Sequence, residues 1–103
     1  KTDLELDQIF VFTPKGDVKA LPAGSNPLDF AYAIHSDIGD ACIGARVNNK
    51  MAKLDGPLKS GDICEIITRR NSAPKKDWLG IVKTAGARSH IRKYLREHGQ
   101  LED

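Results

Sequence analysis

Three histidines, His35, His90 and His98, are the side chains best suited to proton transfer or metal binding, and their surroundings argue against both. None adjoins an aspartate, no HExxH occurs, and no second histidine stands at ligand spacing from His35. Neither GxGxxG nor GxxxxGKS/T is present, so no glycine-rich loop is available to cradle a phosphate. Ser25, Ser36 and Ser60 lack the strand–turn–helix setting of a nucleophile elbow. Cys42 and Cys64 each lie inside an apolar, strand-like run, without CxxC or Cys–His spacing. With no nucleophile–base pair and no ligand set, this chain is expected to be no enzyme and to use neither metal nor cofactor.

Recognition chemistry remains. His35 falls near the end of an apolar-periodic stretch, where an imidazole offers an aromatic face and ring nitrogens to an unpaired base or a phosphate. The plainer reading is a half-exposed histidine favoured by the helix dipole. Arg88, Arg92 and Arg96 recur every four residues on one helical face, with Lys93 beside them. Such a row tracks a phosphate backbone, or simply forms a solvated or partner-packing face. Trp78, the one tryptophan, reads as a packing anchor.

The elements that carry these residues are legible. IFVFT (9–13) is rich in β-branched and aromatic types, Pro14–Asp17 is a turn, and Val18–Leu21 completes a hairpin. Asn26 or Ser25 caps a helix with Pro27 in its first position, an acid at Asp29 and Leu28, Ala31 and Ile34 on one stripe. Gly39 reads as its terminator, which places His35 and Ser36 in the last turn. Strands are expected at Cys42–Asn48, Met51–Leu54 and Ile63–Thr68, with Asn48-Asn49 as a turn. The order β-β-α-β-β-β predicts an α+β domain, a β-grasp (ubiquitin-like) mixed sheet of four or five strands packed on one helix. A basic C-terminal helical segment follows. There Asp77 is the expected cap, Gly86 a possible break, and two short helices or one bent helix fit equally. The expected division is an N-terminal linker 1–8, the β-grasp domain 9–69, a linker 70–76, the basic helical segment 77–98 and a tail 99–103.

Charge is distributed unevenly along the 103 residues. Residues 1–68 hold seven Lys/Arg against ten acids, whereas residues 69–98 hold nine against two, so the downstream segment is the part suited to phosphates or acidic partners. No apolar run approaches the roughly 20 residues of a membrane span, so no membrane partner is expected. Two unpaired buried thiols fit a reducing cytoplasm. The opening residue is Lys1, which fits a piece of a longer protein.

Four strings, FVFTPKGDV (10–18), LPAGSNPLDFAYAIHSDIG (21–39), IGARVNNKM (43–51) and LKSGDICEIIT (58–68), resemble the TGS domain of long RelA/SpoT homologues, the (p)ppGpp synthetase/hydrolase family. DWLGIVKTAGARSHIRKYL (77–95) is similar to the basic helical stretch downstream of it in the same proteins. The resemblance spans residues 9–96 and departs from the pattern at Gly86 and at His90, where a lysine is more usual. It implies a non-catalytic regulatory module of a stringent-response enzyme, with the catalytic domains of the parent chain lying upstream. It also implies that His35 meets the 3′ CCA end of uncharged tRNA on the ribosome, a bare terminal ribose fitting where an esterified one is crowded out. Lys50, Lys53, Arg88, Arg92, Lys93 and Arg96 would lie near tRNA or ribosomal RNA phosphates. The alternative is a protein-interaction module, since some members of the family bind acyl carrier protein and the domain can also pack on the parent's catalytic domains.

Overall fold

The computed structural model describes residues 7–101, so most of the 1–8 segment and the last two residues of the 99–103 tail lie outside the described residues. Strands β1 (Gln8–Phe12) and β2 (Val18–Pro22) pair antiparallel, Phe12 opposite Val18. The turn between them closes on Thr13: its N–H reaches Asp17 O at 2.8 Å, and its hydroxyl accepts the Asp17 N–H at 3.1 Å. Gly16 sits at φ 98°, which a side chain would resist.

Strands β3 (Cys42–Val47) and β4 (Lys50–Ala52) form the second hairpin, and β5 (Cys64–Thr68) lies antiparallel on the other side of β3. Asn48 and Asn49 both adopt positive φ, 53° and 71°, as a two-residue hairpin turn of matching twist requires. The Asn48 amide is then used twice, its Oδ1 accepting the Ile63 N–H at 2.9 Å and its Nδ2 donating to Asp62 Oδ1 at 3.0 Å.

A single parallel bridge, Phe12 to Ile63, joins the two antiparallel pieces. Phe12 N–H donates to Asp62 O at 2.9 Å and Gly61 N–H to Phe10 O at 2.8 Å. The end of β1 thus runs beside the residue that leads into β5, in the same direction, and the two- and three-stranded antiparallel sheets meet there in the mixed arrangement of a β-grasp.

Helix α1 (Pro27–Ile34) crosses this sheet. It starts at a complete capping box: Asn26 Oδ1 accepts the Asp29 N–H and Asp29 Oδ2 accepts the Asn26 N–H, each at 3.0 Å. It ends earlier than the sequence predicts. His35 is extended (φ −168°, ψ 143°), and a second short helix, α2 (Ser36–Asp40), restarts after it. Gly39 therefore does not terminate α1. It lies inside α2 under the Tyr32 ring, where an added Cβ would fall on ring carbons Cγ, Cδ1 and Cε1.

Pro27 through Ala31 are all buried, because α1 is packed on two sides. Phe30 faces the sheet with Val11, Leu21, Ala45, Leu58 and Cys64. Leu28 and Ala31 face the downstream segment, joining Trp78, Val82, Ala87, Ile91 and Leu95 in a second core. Each of the larger members contributes about 1.5–3 kcal/mol by leaving water. Trp78 is thus a packing anchor, as its sequence context suggests.

The downstream segment consists of a 3₁₀ helix (Lys76–Gly80) and helix α3 (Ala85–Glu97), the two-helix option of the sequence reading. Asp77 is not its cap: Lys75 precedes the 3₁₀ turn without a side-chain bond, and α3 is capped by Thr84, whose hydroxyl accepts the Ala87 N–H at 3.2 Å. Gly86 falls in the first turn of α3, where its weak helix propensity costs little.

Candidate functional site

His35 stands at the break between α1 and α2. Its own N–H closes the last bond of α1 onto Ala31 O at 3.2 Å, and its carbonyl accepts from Ile38 and Gly39 N–H, both at 3.1 Å. The ring caps α2: Nδ1 accepts the Asp37 N–H at 3.0 Å, with Asp37 Oδ2 at 3.7 Å. Occupation of Nδ1 as an acceptor assigns the neutral ring's proton to Nε2. The side chain is 62% exposed, so the imidazole is at once held by its cap and open to a ligand.

Ile34 and Ile38, the hydrophobic residues on either side of His35, line a groove of about 370 Å³. Its other walls are the β1–β2 turn, through Thr13, Pro14, Lys15 and Asp17, and strand β5, through Cys64, Glu65, Ile66 and Thr68. The floor is apolar and the rim carries hydroxyls, two carboxylates and one lysine, a composition suited to a ring with polar substituents. None of the turn or β5 residues was among the expected contacts. The TPKGD string marked the turn as characteristic, but nothing local placed it opposite Ile34 and Ile38.

The basic residues fall elsewhere. Lys50 opens β4, the edge strand, and Lys53 follows it; both are exposed and neither lines the groove. Arg88 is partly buried, its Nη2 donating to Val82 O at 2.9 Å, so part of its donor capacity serves the fold. Arg92, Lys93 and Arg96 are exposed on the face of α3 opposite buried Ile91 and Leu95. Lys93 also lines a smaller cavity of about 180 Å³ with Asp40, His90, Tyr94 and Glu97. The seven residues therefore share no one cavity; they are spread over α1–α2, β4 and α3.

His90 belongs to a network that ties α3 to α2. Its Nε2 lies 3.2 Å from Asp40 Oδ2, and Asp40 Oδ1 accepts the Tyr32 hydroxyl at 2.8 Å. Burial and the Asp40 carboxylate push the Tyr32 phenol far above its ordinary range, so it acts as a neutral donor. Burial also raises both thiols, that of Cys64 to about 12, which removes the thiolate a nucleophile would need. Among the described residues no three His, Cys, Asp or Glu stand together to hold a metal, and no helix is long and apolar enough to cross a membrane. The arrangement can bind and position; His90 and Asp40, which line the small cavity together, are engaged with each other and, through Asp40, with Tyr32.

A family model described as the TGS domain matches residues 9–68. The sequence is 52% identical over 97 residues to a GTP pyrophosphokinase of Myxococcus xanthus, covering 94% of this chain and 13% of that protein. It is 50% identical to the bifunctional (p)ppGpp synthase/hydrolase SpoT of Escherichia coli K12, over 93% of this chain and 14% of the relative. The bifunctional (p)ppGpp synthase/hydrolase RelA of Mycobacterium tuberculosis is 44% identical, over 97% of this chain and 14% of its own length. The chain thus spans about one seventh of the length of such relatives. Among solved structures, a GTP-binding protein from Pyrococcus horikoshii OT3 shares the fold, with a TM-score of 0.57 and 24% identity over 60% of this chain and 21% of that one.

Proposed function

The chain belongs to the TGS domain family, and on that premise we propose that it is the non-catalytic regulatory module of a stringent-response (p)ppGpp synthetase/hydrolase, recognising the 3′ CCA end of uncharged tRNA on the ribosome in the cytoplasm. The relatives' names support the first half, and His35 supports the second. Its ring is held through Nδ1 by the Asp37 N–H in a side chain that is 62% exposed, which leaves Nε2 as a donor suited to a phosphate, ribose or base acceptor. Ile34 and Ile38, on either side of it in sequence, line the groove with Thr13, Asp17, Glu65 and Thr68, so a ligand seated there lies next to the His35 break although His35 itself is not in the lining. Hydroxyls and carboxylates accept from the two hydroxyls of an unesterified terminal ribose. An ester removes one of those donors and adds bulk, and a site that pairs a donor rejects a partner lacking it. Lys50, Lys53, Arg92, Lys93 and Arg96, with what Arg88 retains, would meet tRNA or ribosomal RNA phosphates outside the groove.

The test is an NMR titration of the labelled chain with a minihelix RNA ending in CCA, against one lacking the final adenosine. Shifts centred on His35 and the groove residues, weakened in the shortened RNA and in His35→Ala, are expected. Equal response to both RNAs would remove end recognition.

A second reading, contact with a protein, is favoured by the outer sheet face, where Phe10, Val18, Ile63 and Met51 are about half exposed or more. Acyl carrier protein and the parent's catalytic domains are the candidate partners. Titration with acyl carrier protein, read at the Phe10 and Met51 amides, separates this contact from RNA binding.

A further inference from the structure

Between β5 and the 3₁₀ helix the chain folds over a cavity of about 350 Å³ that shares only Cys42, Ile43 and Leu54 with the β-grasp strands and the loop after them. Its remaining lining is Arg69, Ser72, Lys75 and Trp78. The turn that shapes it is held by backbone hydrogen bonds: Arg69 N–H donates to Ala41 O at 2.9 Å, Ser72 N–H donates to Arg69 O at 3.1 Å, and Asn71 takes φ 70° between them. This geometry brings Arg69, Ser72 and Lys75 to one mouth over a floor made by buried Cys42 and Trp78.

The charge of this cavity sets it apart. Asp17 and Glu65 line the groove beside His35, and Asp40 and Glu97 line the small cavity on α3. Here two cations converge and, among the described residues, no carboxylate lines the walls. Exposed Arg70 and Lys76 flank them in the chain. Two like charges at one concave mouth repel each other unless an anion sits between them, and a cleft lined by one sign focuses its field on that anion. Beside the cations stands an apolar edge, Ile43 and Leu54, with Ile43 41% exposed despite its size. The volume lies at the small end of ligand pockets, about 300–1,000 Å³.

We propose that this cavity binds a phosphorylated nucleoside, the phosphate held by Arg69, Lys75 and the Ser72 hydroxyl and the base resting on Ile43 and Leu54. Arginine offers the fork that phosphate oxygens accept from, lysine a point charge, and serine a neutral donor. The same chemistry is presented by a free nucleotide and by a nucleotide within an RNA strand. The site shares no residue with the groove beside His35, so its test is independent of 3′-end recognition.

The experiment is an NMR titration of the 103-residue chain at low salt with GMP, guanosine, inorganic phosphate and a short oligouridylate lacking CCA. Saturable shifts at the Trp78 indole and the Arg69 and Ser72 amides are expected with GMP, with the oligonucleotide, or with both, and little response to guanosine. Response to GMP alone assigns a free nucleotide; response to the oligonucleotide alone assigns a strand. Arg69→Ala/Lys75→Ala should weaken binding about tenfold or more per lost contact. Ser72→Asp, which places a carboxylate in the mouth, should abolish it while the melting curve stays that of the parent. The proposal is overturned by the absence of saturable shifts at millimolar GMP and oligonucleotide, by unchanged affinity in these variants, or by inorganic phosphate binding as tightly as GMP.

Discussion

The Asp29 carboxylate accepts the Thr84 N–H at 3.0 Å and the Thr84 hydroxyl at 3.1 Å, although the two residues are 55 positions apart. The same carboxylate takes the Lys83 N–H at 2.9 Å and the Asn26 N–H at 3.0 Å. One buried side chain therefore caps α1 and also holds the N-terminus of α3, whose own cap is Thr84. Asn26 adds a parallel tie, Nδ2 donating to Ile81 O at 2.8 Å. The basic helix is thereby fixed against the β-grasp unit.

Asp29→Ala should consequently destabilise the chain by about 3 kcal/mol, since it strands several buried donors at once. Thr84→Ala, which removes one hydroxyl and leaves the carboxylate, should cost about 1 kcal/mol. Urea unfolding followed by Trp78 fluorescence measures both. A loss for Asp29→Ala no larger than that for Thr84→Ala would show that the carboxylate is not the tie.

Gly39→Ala should cost about 1–3 kcal/mol, because its methyl would enter the Tyr32 ring and one of the two must shift. Tyr32→Leu in the same background should recover much of that loss. A double-mutant cycle by thermal denaturation gives the coupling between the two positions.

The arginine row should divide between stability and binding. Arg88→Ala removes the bond to Val82 O and is expected to cost about 1–2 kcal/mol of folding stability. Arg92→Ala, on the exposed face, should leave stability within about 0.5 kcal/mol of the parent while lowering the salt slope of RNA binding by about one. Melting curves and affinities at several salt concentrations separate the two effects.

Alkaline pH should unfold the chain through its buried thiols. The Cys64 thiol is held at about 12 in the folded state against 9.0 for the free group, and Cys42 is raised in the same direction. Below pH 9 the thiols are protonated whether folded or unfolded, so the stability is fully present. Between 9 and 12 the unfolded chain binds fewer protons than the folded one, and stability falls as pH rises. Denaturant midpoints from pH 8 to 11 test this; replacing both cysteines by alanine should flatten the slope below about pH 10, above which the raised Tyr32 phenol adds a loss of the same sign.

The β-grasp unit was largely readable because its signals are local. The hairpin turns at Pro14–Asp17 and Asn48-Asn49, the Asn26–Pro27–Asp29 start of α1 and the alternation in ICEIIT each act within a few residues, where backbone sterics and capping suffice. The sequence places His35 in the last turn of a helix ending at Gly39, whereas it is the C-cap of α1 and the cap of α2; apolar periodicity continues through Ile38 and conceals the break. Gly39 was misread for a related reason: a glycine kept for a ring that packs against it looks the same in sequence as one that ends a helix. The groove of Thr13, Ile34, Ile38 and Thr68, the Asp29–Thr84 tie and the cation pair at Arg69 and Lys75 join residues distant along the chain. Local signals suffice for the strands, the start of α1 and the family resemblance, but not for the break between α1 and α2. Which faces meet depends on packing across the whole chain, because burying both sides of α1 is one cooperative choice that no local window contains.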